Sequence, residues 1–68
     1  MEFWERLREL RAGQGETQQQ VAKKIGMTTR QYQGLEAGDS LPGYKNFLAL
    51  ADHFDVSLDY LAGRSDKR

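Results

Sequence analysis

Phe3, Leu7 and Leu10 recur at intervals of four and three, which places them on one side of a helix over Glu2 to Gln14. Gly13 and Gly15 then end the run, as glycine does at helix C-termini. A second apolar set, Val21, Ala22 and Ile25, follows Thr17-Gln18-Gln19-Gln20. That tetrapeptide has the Thr-x-x-Gln form of a capping box. The threonine hydroxyl accepts from the N–H three residues on, and the glutamine side chain reaches back to the threonine N–H. Gly26 suits the left-handed residue that closes such a helix. The box recurs at Thr28-Thr29-Arg30-Gln31, ahead of Tyr32 and Leu35, and Gly38 ends that run. Only Gly26-Met27-Thr28 separates the two short helices. A connection that tight holds them at a steep angle, which is the helix-turn-helix arrangement, here over about residues 18–37.

Asp39-Ser40-Leu41-Pro42-Gly43 reads as a loop by composition, with Gly43 as the N-cap of a fourth helix. Tyr44, Phe47, Leu50, Ala51 and Phe54 follow at helical spacing. Asp55-Val56 interrupts them, Ser57 caps a last short helix with Leu58 and Leu61 inward, and Gly63 stops it. Residues 64–68 read as a flexible tail. The pattern therefore predicts an all-α chain of five helices and no strands, a single domain over residues 1–68. The expected core is Phe3, Leu7, Leu10, Val21, Ala22, Ile25, Tyr32, Leu35, Phe47, Leu50, Ala51, Phe54, Val56, Leu58 and Leu61. Trp4 stands off the first stripe, half-exposed or packed on a partner.

Composition narrows the function classes. Sixty-eight residues without cysteine exclude disulfide staples and thiolate metal sites, so well-packed helices must supply the stability. The longest apolar stretch, Phe47 to Ala51, is far too short to span a bilayer, and the expected location is the cytoplasm. Ten basic residues balance ten acidic ones. Six basic face five acidic residues up to Gly38, and four face five thereafter, so a basic face has to come from geometry rather than from totals. Catalysis has little to work with. The single histidine, His53, reads as a partly exposed helix residue, and Asp52, Asp55 and Asp59 form no metal-ligand spacing with it. The glycines fall at helix ends and in loops rather than in a phosphate cradle. No catalytic residue, metal site or cofactor is expected, and the chain does not read as an enzyme.

Taken in order, Arg6-Leu7-Arg8-Glu9-Leu10-Arg11, Thr17-Gln18, Val21-Ala22-Lys23-Lys24-Ile25-Gly26, Leu35-Glu36-Ala37-Gly38, Pro42, Leu50-Ala51 and Val56-Ser57-Leu58-Asp59-Tyr60-Leu61 form a connected pattern. The chain resembles the Cro/C1-type (XRE) helix-turn-helix regulators over roughly Phe3 to Gly63. The resemblance implies a five-helix lambda-repressor-like fold that binds double-stranded DNA with its third helix in the major groove. It implies phosphate contact by Thr17 and Gln18, at a helix N-terminus whose free N–H groups suit an anion. It places Thr28 close to phosphate and base reading at Thr29, Arg30, Gln33 and Gly34. The side chains suit that role. Arginine donates twice to guanine, glutamine bonds adenine bidentately, and threonine offers a hydroxyl or a methyl. The resemblance also pairs Arg11 with Glu36, a structural brace between the first and third helices.

Some positions depart from the family pattern. Asp39-Ser40-Leu41 stands where lysine or arginine usually meets phosphate, leaving the backbone N–H groups of Gly38 to Leu41 as donors there. Glu16 occupies a frequent leucine position. Gly34 lies inside the reading helix at roughly 1 kcal/mol in propensity, for close approach to DNA or because no side chain is needed. Lys23, Lys24 and Lys45 read as solvated residues. The expected function is a sequence-specific transcriptional regulator, a repressor acting as a homodimer, with Leu41, Tyr60 and the last helix as candidate pairing surfaces. The alternative is a protein-interaction module or antitoxin-like partner whose DNA binding is weak or lost.

Overall fold

The computed structural model describes residues 1–68 and contains five helices: α1 Phe3–Gly13, α2 Gln18–Ile25, α3 Thr29–Glu36, α4 Tyr44–Phe54 and α5 Leu58–Leu61. The local signals work as the sequence predicts. Thr17 Oγ1 accepts from the Gln20 N–H at 3.1 Å, and the Thr17 N–H donates to Gln20 Oε1 at 2.8 Å. The Thr28 and Gln31 pair repeats this at 3.1 and 3.0 Å. Each box satisfies donors that a helix start leaves orphaned. Between α2 and α3, Gly26 takes φ +88°, and its following Met27 N–H closes onto the Ala22 carbonyl at 2.9 Å. That left-handed step is what lets α3 leave in a new direction after only three residues.

Leu7, Val21, Tyr32, Leu35, Leu50 and Leu61 are sealed in the centre, with Phe3, Leu10, Ala22, Ala51 and Phe54 around them. Burying each such large apolar side chain contributes about 1.5–3 kcal/mol. Ile25, Phe47, Val56 and Leu58, expected as core, pack against this cluster while remaining partly exposed. Tyr44, in register with the α4 stripe, lies outside it and is 75% exposed.

Tyr60 is a correction. Expected as a subunit-pairing surface, it is buried. The Arg6 guanidinium lies 3.7 Å from its ring centre, and that of Arg68 lies 5.5 Å away. Arginine stacks on aromatic faces through charge and flat shape together. Residues 64–68, expected as a free tail, fold back over this place. The Arg68 carbonyl accepts from the Ser57 N–H at 2.8 Å. Arg6 donates to the Ser65 carbonyl at 3.5 Å and lies 3.7 Å from the Asp66 carboxylate. Arg6 is itself buried, a position that periodicity gives no reason to expect, because its stem covers Tyr60 while its head meets the tail.

Trp4 is half-buried within its own chain. A Cβ placed on Gly38 would stand 3.1 Å from the indole, so the ring lies flush against that backbone. Gly38 has φ +80°, which independently requires glycine. α1 therefore holds the C-terminal end of α3 through an aromatic face, and a few residues away through an ion pair.

Candidate nucleic-acid interface

Amphipathic packing decides which side of α3 is available. Tyr32, Leu35 and Glu36 are buried, whereas Arg30, Gln31 and Gln33 are exposed and Thr29 and Gly34 are half-exposed. The Arg30 side chain makes no ion pair or hydrogen bond within the protein. Thr28 and Thr17 are exposed at the starts of α3 and α2, so both helix N-termini open to solvent.

Beneath this surface a polar chain connects α1, α2 and α3. Arg11 Nε donates to Glu36 Oε2 at 2.6 Å and Nη2 to Oε1 at 3.0 Å, a bidentate pair. Arg11 Nη1 also donates to the Glu16 carbonyl at 3.0 Å. Gln18 Nε2 donates to Glu36 Oε1 at 3.1 Å, and Gln33 Nε2 donates to Gln18 Oε1 at 3.3 Å. The expected Arg11–Glu36 contact is thus present, and it extends through Gln18 to Gln33 on the exposed face. That extension has no sequence signal of its own, since it joins residues 15 and 18 positions apart.

Burial by itself would push the Glu36 carboxyl up. Hydrogen bonds from Arg11 and Gln18, with the Tyr32 phenol close by, overcome it and hold the group below the usual carboxylate range. The same pairing raises Arg11. The Tyr32 hydroxyl is enclosed near that carboxylate without reaching hydrogen-bond geometry, and its burial beside a negative charge drives its titration far up. The ensemble is one cation and one anion, and Glu36 carries its charge at neutral pH.

Gly34 has a local explanation: a Cβ there would meet Ser40 Oγ at 3.2 Å, so the loop after α3 rests over the helix at this point. The Asp39 N–H donates to the Gly34 carbonyl at 3.0 Å, and the Gly38 N–H donates to that of Leu35 at 3.2 Å. Of the loop amides expected as phosphate donors, these two are therefore engaged within the protein. Asp39 itself is exposed.

Glu16 and His53 form a contact that lies 37 positions apart in sequence and so leaves no trace there. Glu16 Oε1 and His53 Nε2 are 2.8 Å apart, both side chains 14% exposed, and Lys24 Nζ stands 3.7 Å from the other carboxylate oxygen. α4 thus offers the half-buried Glu16 carboxylate an imidazole partner. No group of acidic or histidine residues is arranged to hold a metal ion. No helix is long and apolar enough to cross a membrane.

A helix-turn-helix family model matches residues 7–61. Among curated proteins, the chain is 38% identical over 64 residues to the cryptic phage CTXphi transcriptional repressor RstR of Vibrio cholerae, covering 94% of this chain and 57% of that protein. It is 39% identical over 67 residues to the HTH-type transcriptional regulator YqaE of Bacillus subtilis, covering 97% and 58%. The chain thus spans less than three-fifths of the length of these relatives. Among solved structures, the P22 c2 repressor in complex with a synthetic operator superimposes with a TM-score of 0.90 at 26% identity, covering 96% of this chain and 98% of that one. A transcriptional regulator from Listeria innocua gives 0.88 at 27% identity, covering 98% and 63%. With capped α2 and α3 joined by a three-residue turn, five helices and no strand, and these likenesses, the chain belongs to the Cro/C1-type (XRE) helix-turn-helix family.

Proposed function

We propose that the chain is a sequence-specific DNA-binding transcriptional regulator, a repressor that enters the major groove with α3 and works as a homodimer. The observation that carries this reading is the outward side of α3. Arg30 and Gln33 are exposed there, with Thr29 beside them, while the opposite side is anchored by Tyr32, Leu35 and Glu36. Arg30 suits guanine and Gln33 suits adenine, at about 1–3 kcal/mol of discrimination for each good bidentate pair. Gly34 contributes no side chain and only its backbone can border the groove, because Ser40 Oγ would lie 3.2 Å from a Cβ there. Thr17, Gln18 and Thr28 stand at helix N-termini, where free N–H groups and the dipole favour a phosphate. Similarity to a repressor crystallised on its operator supports the same partner, double-stranded DNA.

Pairing of subunits is assigned to the side where apolar atoms remain uncovered. Leu41 is 77% exposed, beside a cleft of about 290 Å³ lined by Phe3, Leu41, Pro42, Phe47 and Ala62. Two subunits on a twofold axis would present their α3 helices about 34 Å apart, one turn of DNA. Exposed Asp39 and a net charge of zero favour a second reading, a protein-interaction module on the same fold.

Selection from a pool of randomised duplexes, followed by a salt series on the enriched site, separates the two. A regulator enriches a palindromic site, and its log affinity falls steeply and linearly with log salt as counterions are released. No enrichment, or affinity that ignores salt, leaves the interaction module.

A further inference from the structure

We infer that Glu16 and His53 are positioning residues for the phosphate-facing start of α2 and link it to a proton, so that duplex binding takes up a proton at His53 and weakens as pH rises. The inference rests on the DNA-binding role proposed above. Glu16 Oε1 and His53 Nε2 are 2.8 Å apart, and both side chains are 14% exposed. The Glu16 backbone is gripped as well. Its carbonyl accepts from Arg11 Nη1 at 3.0 Å, and its N–H donates to the Arg11 carbonyl at 3.3 Å. Main chain and side chain of Glu16 are thus held from α1 and from α4 at once. The next residue is Thr17, the N-cap of α2, where the proposed function seats a phosphate. The Glu16–His53 contact therefore fixes, from α4, the loop that presents Thr17 and Gln18.

Charge makes this contact more than a brace. Consecutive Cα atoms are about 3.8 Å apart, so the Glu16 carboxylate lies on the order of one Debye length, about 10 Å, from a phosphate held at Thr17. Two negative charges at that range repel. Lys24 Nζ stands 3.7 Å from Glu16 Oε2, but its side chain is 64% exposed and water screens it. His53 decides the balance. A neutral imidazole bridges Glu16 only as its Nε2–H tautomer and leaves the carboxylate charge in place. An imidazolium donates the same bond and cancels that charge. The remaining charged neighbours are Arg11 of α1, at the Glu16 carbonyl, and Asp52, exposed and next to His53 along α4. α3 and α5 bring no ionised group into contact with the pair. Linkage is reciprocal: a duplex that favours the imidazolium is favoured by it, by the same factor.

His53 is the single histidine of the chain, so its ring protons report on it without ambiguity. The test follows them by NMR, in the full chain alone and with its selected duplex, and measures duplex affinity at fixed salt from about pH 6 to about pH 8, across the ordinary range of an imidazole. Wild type is compared with His53→Gln and with Glu16→Leu/His53→Ala, each checked for helical content and melting temperature. In wild type the ring should titrate at higher pH with the duplex bound than without it, and affinity should fall about three- to fivefold over the range. His53→Gln keeps a neutral donor for Glu16, so it should match wild type at the alkaline end and show a flat profile. The double variant removes both charges, and should bind at the alkaline end at least as tightly as wild type, again with a flat profile. Equal pH profiles in wild type and His53→Gln, or a ring titration that the duplex leaves in place, would overturn the linkage. Wild type that binds with a flat profile sinks the linkage alone, whereas wild type that enriches no duplex sinks the regulator reading and the linkage with it.

Discussion

Removing Arg11 tests the brace between α1 and α3 most sharply. Glu36 is 2% exposed and receives two bonds from Arg11, at 2.6 and 3.0 Å, and one from Gln18. Arg11→Met keeps most of the stem's packing and strands the carboxylate. Breaking a buried pair from one side costs about 3–5 kcal/mol, and the part-exposed Arg11 head and the surviving Gln18 bond favour the lower end, about 3 kcal/mol. The whole chain is expected to be stable by only about 3–10 kcal/mol at 0.05–0.15 kcal/mol per residue, so this loss is a large fraction. In a domain of this size it lowers Tm by roughly 12–24 °C. The pH dependence should invert as well. In the wild type Glu36 titrates below its ordinary value of 4.5, so its contribution is complete above that pH and fades as acid protonates the folded state. In Arg11→Met burial, the largest single influence on the group, is opposed only by Gln18 and the Tyr32 phenol and raises the carboxyl. Its contribution is then present in acid and lost as pH rises, so the gap between the two proteins narrows between pH 7 and 5. Thermal unfolding followed by circular dichroism across that range measures both effects. A loss under about 1 kcal/mol with parallel pH profiles would refute the reasoning, because it would mean the pair is solvated like an ordinary surface bridge.

Arg30→Ala should keep the wild-type melting curve, since its side chain is exposed and makes no hydrogen bond or ion pair within the protein, while discrimination falls at one base pair by about 1–3 kcal/mol in competition binding. Gly38→Ala should destabilise by more than 1 kcal/mol, because φ +80° strains any L side chain and the new Cβ would press the Trp4 indole 3.1 Å away; chemical denaturation and tryptophan fluorescence report both. Arg6→Leu should cost about 1–3 kcal/mol and release the tail, seen as faster hydrogen exchange at the Ser57 amide, which the Arg68 carbonyl otherwise protects.

What was legible in the sequence divides along a physical line. The helices, both capping boxes and the turn at Gly26 are local, each written in three or four consecutive residues, and they stand as expected. The buried side of each helix follows from periodicity, because every apolar stripe must find the same small core. Long-range polar contacts do not follow. Arg6 under the tail and Glu16 against His53 join residues whose separations of 59 and 37 carry no pattern, and a solvated arginine or glutamate looks the same in sequence. Tyr60 illustrates the limit: its period fits an exposed or a buried place equally, and only the Arg6 guanidinium across its face decides. The Arg11–Glu36 pair was legible only through family resemblance, and its continuation to Gln18 and Gln33 only in three dimensions.

The outward side of α3 as the DNA-reading surface is tested most directly by titrating the isotopically labelled protein with its selected duplex and following backbone amide resonances. The largest shifts should fall on Thr17, Gln18 and Thr28 through Gly34, with the side-chain resonances of Arg30 and Gln33 moving alongside. Shifts gathered instead around Leu41, Tyr44 and the apolar cleft, with α3 undisturbed, would contradict the account.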